Sequence, residues 1–335
     1  VAGVWGVPED SIPGPGKSAY EMLTELGTDG AVRALLVFGS NVVVSAPDAL
    51  AIEERLRALD FLVVSDFFLS ETAALADVVL PSAQWAEEEG TMTNLEGRVV
   101  LRRRAFAPPP GVQSDLEMLC ALAGRLGHRE RFAYDGPREV FEELRRASAG
   151  GPADYAGITY ERIAASHGIH WPCPAEDHPG TPRLFEERFP TPSGRARFHA
   201  VRHRPPAEVP DADFPLYLTT GRLLGHYQTG TQTRRVPRLE AAAPGPMAEI
   251  HPSTASQYGL ADGDVVALES RRGTARFRVL LTPDIRRDTV FVPFHWGGER
   301  AANRLTHAAL DPTSRMPEFK VCAVRVSRRG EGAAS

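Results

Sequence analysis

The stretch Thr220, Gly221, Arg222, Leu223, Leu224, Gly225, His226, Tyr227, Gln228, Thr229, Gly230, Thr231 crowds hydroxyls, glycines, one arginine and one histidine together. Glycines let backbone approach a ligand closely, and threonine hydroxyls and amide N–H groups can donate to phosphate oxygens. A surface loop tolerates the same composition, so the stretch alone is an incomplete argument. A second set stands where apolar runs stop. Residues 34–38 (ALLVF) end in Gly39-Ser40-Asn41, and residues 61–64 (FLVV) end in Ser65-Asp66. A carboxylate such as Asp66 can accept from ribose hydroxyls or from the donors of a guanine edge. The competing reading is that Asp66 and Ser70 only cap the next helix. A third set runs from Phe294-His295-Trp296 through Asn303, Thr306, Asp311 and Glu318 to Lys320. A lone histidine at a strand end is more often structural than catalytic.

These residues need elements to position them. Residues 34–38, 61–64 and 77–80 (DVVL) are short apolar runs. Between the first two, residues 48–60 carry Leu50, Ile52, Leu56 and Leu59 at helical spacing. Continuous apolar strands alternating with helices predict a parallel sheet covered on both faces, of the doubly wound α/β kind. Ligands in such folds bind outside the carboxyl ends of the strands, which is where Asn41, Ser65 and Asp66 fall. Residues 71–75 are expected to form a short helix capped by Ser70. A helix is expected over 116–127, with Gly127 closing it. Residues 105–113 (AFAPPPGVQ) form a proline-stiffened link. Residues 128–212 read as a loop-rich connector with one helix, 137–148. From 215 onward, runs at 216–219, 247–250, 265–270, 274–281, 289–293 and 321–326 predict six short strands, with a helix at 252–258 that has Pro252 in its first turn. Six strands at this spacing imply a small closed barrel. The expected division is 1–127, 128–212 and 213–328, with a flexible tail over 329–335.

Composition excludes several classes. A chain of 335 residues exceeds one ordinary core. Its 38 basic and 43 acidic residues give −5, the wrong sign for a nucleic-acid partner. No uncharged apolar run reaches the roughly 18 residues of a membrane helix; the longest candidate, 34–47, is broken by Gly39, Ser40 and Asn41. Three scattered cysteines, Cys120, Cys173 and Cys322, disfavour a disulfide framework and suggest a reducing compartment. They also cannot by themselves hold an iron–sulfur cluster, which normally takes four thiolates. Cys120 and Cys322 are expected in the core, and Cys173, between two prolines, is expected to be the reachable thiol. No G-x-G-x-x-G, P-loop, G-x-S-x-G or H-E-x-x-H occurs, and no metal ligand set is assigned. The chain begins at Val1, without Met or a signal-peptide pattern.

Three long stretches together resemble one family: residues 63–96 (VVSDFFLSETAALADVVLPSAQWAEEEGTMTNLE), 220–237 (TGRLLGHYQTGTQTRRVP) and 291–326 (FVPFHWGGERAANRLTHAALDPTSRMPEFKVCAVRV). They are similar, in the same order, to the C-terminal half of the catalytic subunit of molybdopterin oxidoreductases, the group that holds nitrate reductases and formate dehydrogenases. The resemblance implies molybdenum held between two molybdopterin guanine dinucleotides, with a final double-psi β-barrel capping the pterins. It implies that Asn41, Ser65 and Asp66 contact one guanosine and Asp115 the same dinucleotide. Thr220 to Thr229 would wrap pyrophosphate and pterin, Asn303 and Lys320 would hold the other end, and His295 would stand near the substrate funnel. One departure is Glu88, where some members carry lysine. The family's 4Fe-4S cysteine motif and its molybdenum-ligating residue belong to regions that this sequence does not contain.

These expectations amount to the C-terminal portion of a cytoplasmic, assimilatory-type nitrate reductase subunit, sharing its cofactor with an N-terminal part of the same subunit or a split partner chain. An electron-donor protein or domain and a small anionic substrate follow as its other partners. Formate dehydrogenase is the alternative from the same chemistry. A cofactor-storing module without catalysis is the alternative from another class.

Overall fold

The computed structural model describes residues 1–28 and 32–328. The tail expected over 329–335 lies outside them. Twelve strands are numbered here in chain order: β1 Ala34–Phe38, β2 Phe61–Asp66, β3 Val78–Pro81, β4 Gly90–Thr93, β5 Arg98–Arg102, β6 Ile169–His170, β7 Leu216–Gly221, β8 Met247–Ile250, β9 Val265–Glu269, β10 Thr274–Leu281, β11 Thr289–Pro293 and β12 Cys322–Arg328. The chain forms two compact units, each assembled from two separate stretches: 17–80 with the chain from His203 onward, and 1–16 with 81–202.

The larger unit joins a small sheet to a barrel. β1 and β2 pair in parallel, Leu35 beside Leu62 and Val37 beside Val64, and β3 follows on the far side of β2. The Asp77 N–H donates to the Leu62 carbonyl at 2.9 Å, which sets the start of β3 beside the start of β2. Helix Ala49–Arg57 returns the chain between β1 and β2 and buries Ile52 and Leu56 on the same side as Val37, Leu62 and Val64. Ser70 caps the following turn as expected: its hydroxyl accepts from Ala73 N at 3.3 Å, although the helix shrinks to a single 3₁₀ turn, Ala73–Leu75. The expectation of cover on both faces is not met among the described residues, since the helices lie on one face and Leu36 and Phe61 on the other are 43 % and 44 % exposed.

The six later strands close into a barrel in the order β10-β8-β11-β7-β12-β9. Its pairings are mixed: β7 with β11 and β8 with β10 run parallel, and the other four antiparallel. Alternation decides which side chains fill it. Along β10, Ala275, Phe277 and Val279 are buried while Arg276 and Arg278 face out, and Leu218, Ile250, Leu268, Val290, Val292 and Val324 complete the interior. Helix Pro252–Gln257 begins with its proline in the first turn, where the missing N–H has no intrahelical role.

The smaller unit carries the sheet β4-β5-β6. Helix Asp115–Arg125 opens with a capping box between Ser114 and Glu117, and Gly127 follows it at φ +85°. The segment read from sequence as loop-rich contributes Phe141, Ile158, Ile163, Ile169 and Cys173 to a buried cluster around Val99. Cys173 is therefore fully buried, which corrects the expectation that it is the reachable thiol; Cys120 is partly exposed instead, and Cys322 is buried in β12 as expected. The proline bracket misled because the loop folds inward: Cys173 N–H donates to Asp154 O at 2.8 Å and Gly157 N–H to Cys173 O at 2.6 Å. Glu88 pairs with Arg102 at 2.8 Å.

Candidate functional site

The glycine- and threonine-rich loop leaves the end of β7, and its shape is set from beneath by His295. That ring is wholly buried at the end of β11. Its Nε2 accepts the Leu223 N–H at 2.8 Å, so the proton sits on Nδ1, which donates to the Gln228 carbonyl at 2.5 Å. One imidazole thus fixes both limbs of the loop. Burial, with the cationic neighbours Arg222 and Arg234, outweighs the Gln228 contact and holds the His295 pKa below its usual value. Both ring nitrogens are occupied by the loop backbone. His226, inside the loop, is likewise buried: Nδ1 meets Thr233 Oγ1 at 3.1 Å and Nε2 meets the Ala243 carbonyl at 2.9 Å. Its ring packs edge-on against Trp296 at 5.0 Å and lies 5.6 Å from His295.

Two glycines are required where they stand. At Gly221 an added Cβ would come 2.4 Å from the Phe291 ring, and at Gly230, with φ +73°, it would come 2.5 Å from the His295 carbonyl. Around this frame the loop turns its other side chains outward. Arg222, Leu224, Tyr227 and Gln228 are exposed, and Thr229 is half-buried with its hydroxyl 3.0 Å from that of Thr231.

At the root of the loop two cations share one ring. The Arg222 guanidinium lies 5.8 Å from the centre of Phe294 and the Lys320 ammonium 5.7 Å. Lys320 donates to the Thr220 carbonyl at 2.8 Å, and Thr220 Oγ1 donates to the Phe319 carbonyl at 2.8 Å. Partial burial, then repulsion from Arg222, lowers the Lys320 pKa from its ordinary value. Neither cation pairs with a carboxylate among the described residues. Both cations are exposed to solvent, and the arrangement can take an anionic group.

The strand-end residues meet the loop from the other side. Asn41 is buried at the turn after β1. Its Nδ2 donates to Glu71 Oε2 at 2.7 Å and to Thr231 Oγ1 at 3.2 Å, while Oδ1 accepts from Thr72 N and Oγ1 at 3.2 and 2.9 Å. Arg234 Nη2 donates to the second Glu71 oxygen at 2.9 Å. Burial opposes ionisation of Glu71, but these bonds outweigh it and leave its pKa below the usual carboxylate value. Arg235 stacks on Phe68, 4.5 Å from its ring centre. Ser65 and Asp66 are buried where β2 ends. Asp66 accepts from Phe67 N at 2.8 Å and Ser70 Oγ at 2.9 Å, the local capping role that was the competing reading.

The structure therefore brings Asn41, Thr220 to Thr229, His295 and Lys320 into one bonded set. Asn303 stands apart from the loop and joins barrel to sheet: Nδ2 donates to the Val44 carbonyl at 2.7 Å and Oδ1 accepts from Thr306 at 3.0 Å. Asp115 sits in the first turn of its helix in the other unit. Sequence reading missed Glu71 and Arg234 as members of the set; Thr231 belonged to the stretch it had singled out. Glu71 and Arg234 gave a faint signal, an acid within a capping stretch and one arginine of the pair Arg234-Arg235 beyond the loop. Among the described residues no group of three or more His, Cys, Asp or Glu side chains could hold a metal ion.

Comparison with known proteins decides what frame this is. Residues 10–125 match the family profile described as molybdopterin oxidoreductase, and residues 216–323 match the molydopterin dinucleotide binding domain. The chain belongs to the molybdopterin oxidoreductase family. Its relatives include the assimilatory nitrate reductase catalytic subunit of Bacillus subtilis, 48 % identical over 97 % of this chain and 46 % of that protein. The F420-dependent formate dehydrogenase subunit alpha of Methanocaldococcus jannaschii is 44 % identical over 95 % of this chain and 46 % of its own length. The chain thus spans about half the length of these molybdopterin oxidoreductases. Acetylene hydratase from Pelobacter acetylenicus shares the fold, with a TM-score of 0.73 over 92 % of this chain and 46 % of that one at 19 % identity. No helix among the described residues is long and apolar enough to cross a membrane.

Proposed function

We propose that this chain is part of the cradle for molybdopterin guanine dinucleotide in the catalytic subunit of an assimilatory-type nitrate reductase. The observation that carries the reading is the unpaired cation pair Arg222 and Lys320 over Phe294, at the root of a loop whose backbone His295 holds in shape. That donor set fits the dinucleotide's phosphates: two positive charges, threonine hydroxyls, and a backbone kept close by Gly221 and Gly230. Arg222 and Lys320 bind the anion. His295 and Asn41 orient the loop. Asn41, Ser65 and Asp66 meet the guanosine where the parallel strands end, the position at which such sheets take nucleotides. The two parallel strand pairs within the barrel support its assignment to the double-psi type.

When bound with its molybdenum, the cofactor supplies the redox chemistry, taking an oxygen atom from nitrate. The metal's protein ligand, a 4Fe-4S cluster and the contact with an electron donor are assigned to the part of the subunit, or the split partner, outside the aligned half. The reading places the protein in the cytoplasm with a small anionic substrate. Formate dehydrogenase is the second reading, favoured by the 44 % identical relative.

The cofactor assignment is tested by titrating the full chain with molybdopterin guanine dinucleotide, with GDP as competitor. Saturable binding weakened about tenfold by Arg222→Ala or Lys320→Ala is expected, a loss of ~1.4 kcal/mol. Binding indifferent to both substitutions contradicts it. Substrate is decided by joining the chain to the N-terminal part of the Bacillus subtilis relative. Nitrate-dependent oxidation of a reduced dye is expected, and formate-dependent reduction of the oxidised dye establishes the second reading instead.

A further inference from the structure

Several arginines on the outside of the barrel each hold a carboxylate. Arg325 donates to both Glu269 oxygens at 3.0 and 2.7 Å, and Arg286 Nε donates to Asp288 at 2.9 Å. Arg276, Arg278 and Arg300 break that pattern. Arg276 lies 3.7 Å from Glu299, and Arg278 and Arg300 pair with no carboxylate among the described residues. All three line one cavity of about 630 Å³.

Strand register builds the floor of this cavity. Arg276 and Arg278 point the same way from β10, whose alternate residues fill the barrel. Arg278 stands between Met247 on β8 and Val265 on β9, its direct partners in the two ladders. Pro244 and Pro246 extend the apolar floor, and the Pro246 carbonyl accepts the Arg278 N–H at 3.3 Å. The 3₁₀ turn Gly298–Arg300 forms a wall. Gly298 begins it at φ +62°, and the Arg300 guanidinium lies against Gly245, where an added Cβ would sit 3.8 Å from Nη1. Arg278 Nη1 donates to the Gly263 carbonyl at 2.9 Å. That bond steadies a guanidinium whose fork has further donors for a ligand.

A row of arginines facing open water serves solubility. Here the row is set in a cavity with an apolar floor, three guanidiniums against the one carboxylate of Glu299. Its volume falls within the roughly 300–1,000 Å³ of small-molecule sites. Guanidinium forks match phosphate oxygens, and a phosphate monoester carries about two negative charges at neutral pH, the excess of positive charge in the cavity. We propose that this cavity is a binding site for a phosphate monoester with a compact apolar body. Arg276, Arg278 and Arg300 hold the phosphate, and Met247, Val265 and the two prolines take the body. None of these residues belongs to residues 220–231 or to the Arg222 and Lys320 pair. The inference therefore goes beyond the cofactor reading and stands if that reading fails.

The test is calorimetric titration of the full chain with phenyl phosphate, which has the charge and the apolar body but no guanine. Saturable binding is expected, about tenfold tighter than that of inorganic phosphate or succinate, because the ring is buried on the floor. Arg278→Gln and Arg300→Gln are each expected to weaken it about tenfold, the loss of a charge-assisted contact. Arg325→Gln, on the paired part of the barrel surface, is expected to leave it unchanged. Phenyl phosphate should also shield Arg276, Arg278 and Arg300 of the wild-type chain from phenylglyoxal, read by mass spectrometry. That readout decides the matter if a variant melts early. Absence of saturable binding overturns the proposal. So does inorganic phosphate or succinate bound as tightly, affinity indifferent to Arg278→Gln and Arg300→Gln, equal loss with Arg325→Gln, or shielding confined to other arginines.

Discussion

The Glu71 carboxylate accepts from Arg234 at 2.9 Å, across 163 residues of sequence. Its other oxygen holds Asn41, which in turn reaches Thr231. One acid on the sheet side therefore ties the strand-end turn to the barrel loop. Glu71→Gln keeps the Asn41 contact and loses the ion pair, and should destabilise the chain by about 1–3 kcal/mol in urea unfolding. The pH dependence has a definite sign. The folded pKa lies below the unfolded value, so the contribution is complete above about pH 4.3 and is lost as pH falls through the folded pKa. Melting temperature in wild type should drop across that acid range more steeply than in Glu71→Gln.

His295 works in the opposite charge sense. Its imidazole is held neutral between Leu223 and Gln228, with a pKa lowered chiefly by burial. A lowered histidine pKa means stability that is full above about pH 6.5 and declines as pH falls toward the folded pKa, where the loss levels off. Thermal melts between pH 8 and pH 5 should show this slope, and His295→Gln should flatten it. His295→Ala leaves the Leu223 N–H without its acceptor, at a cost of about 1–3 kcal/mol.

Gly230 permits a conformation that a side chain resists. Gly230→Ala meets positive φ and the His295 carbonyl together, so a loss of about 1–3 kcal/mol is expected in denaturant titration. Hydrogen exchange over residues 222–231 should quicken in the same variant, while the barrel strands keep their protection.

Thiol reactivity separates the three cysteines. Cys322 is pushed up to about 12, first by burial, and Cys173 is enclosed, leaving Cys120 partly exposed. A disulfide reagent added to native protein should modify Cys120 first, and Cys120→Ser should abolish that fast phase. Rapid labelling of Cys173 would contradict the burial of its loop.

Fold and site were unequally legible. Residues 34–38 and 61–64 are read correctly because continuous apolar runs between helices have few alternatives, and the barrel strands because alternation such as Ala275-Phe277-Val279 marks an inside and an outside. The hairpin of β4 and β5 and the cluster around Val99 were not visible. Their elements are short, and Phe141, Ile163 and Ile169 converge only through tertiary packing that no periodicity encodes. In the candidate site, residues 220–231 stood out by their hydroxyls and glycines. Glu71 and Arg234 did not, because their bond joins residues far apart in sequence. Asp66 was singled out by type, and its carboxylate accepts from its own turn.

The most direct test of the cradle is hydrogen exchange of the full chain with and without molybdopterin guanine dinucleotide. The account predicts slowed exchange at residues 220–231 and at 65–72 together, with the rest of the barrel unchanged. Saturable binding that protects neither segment would contradict it.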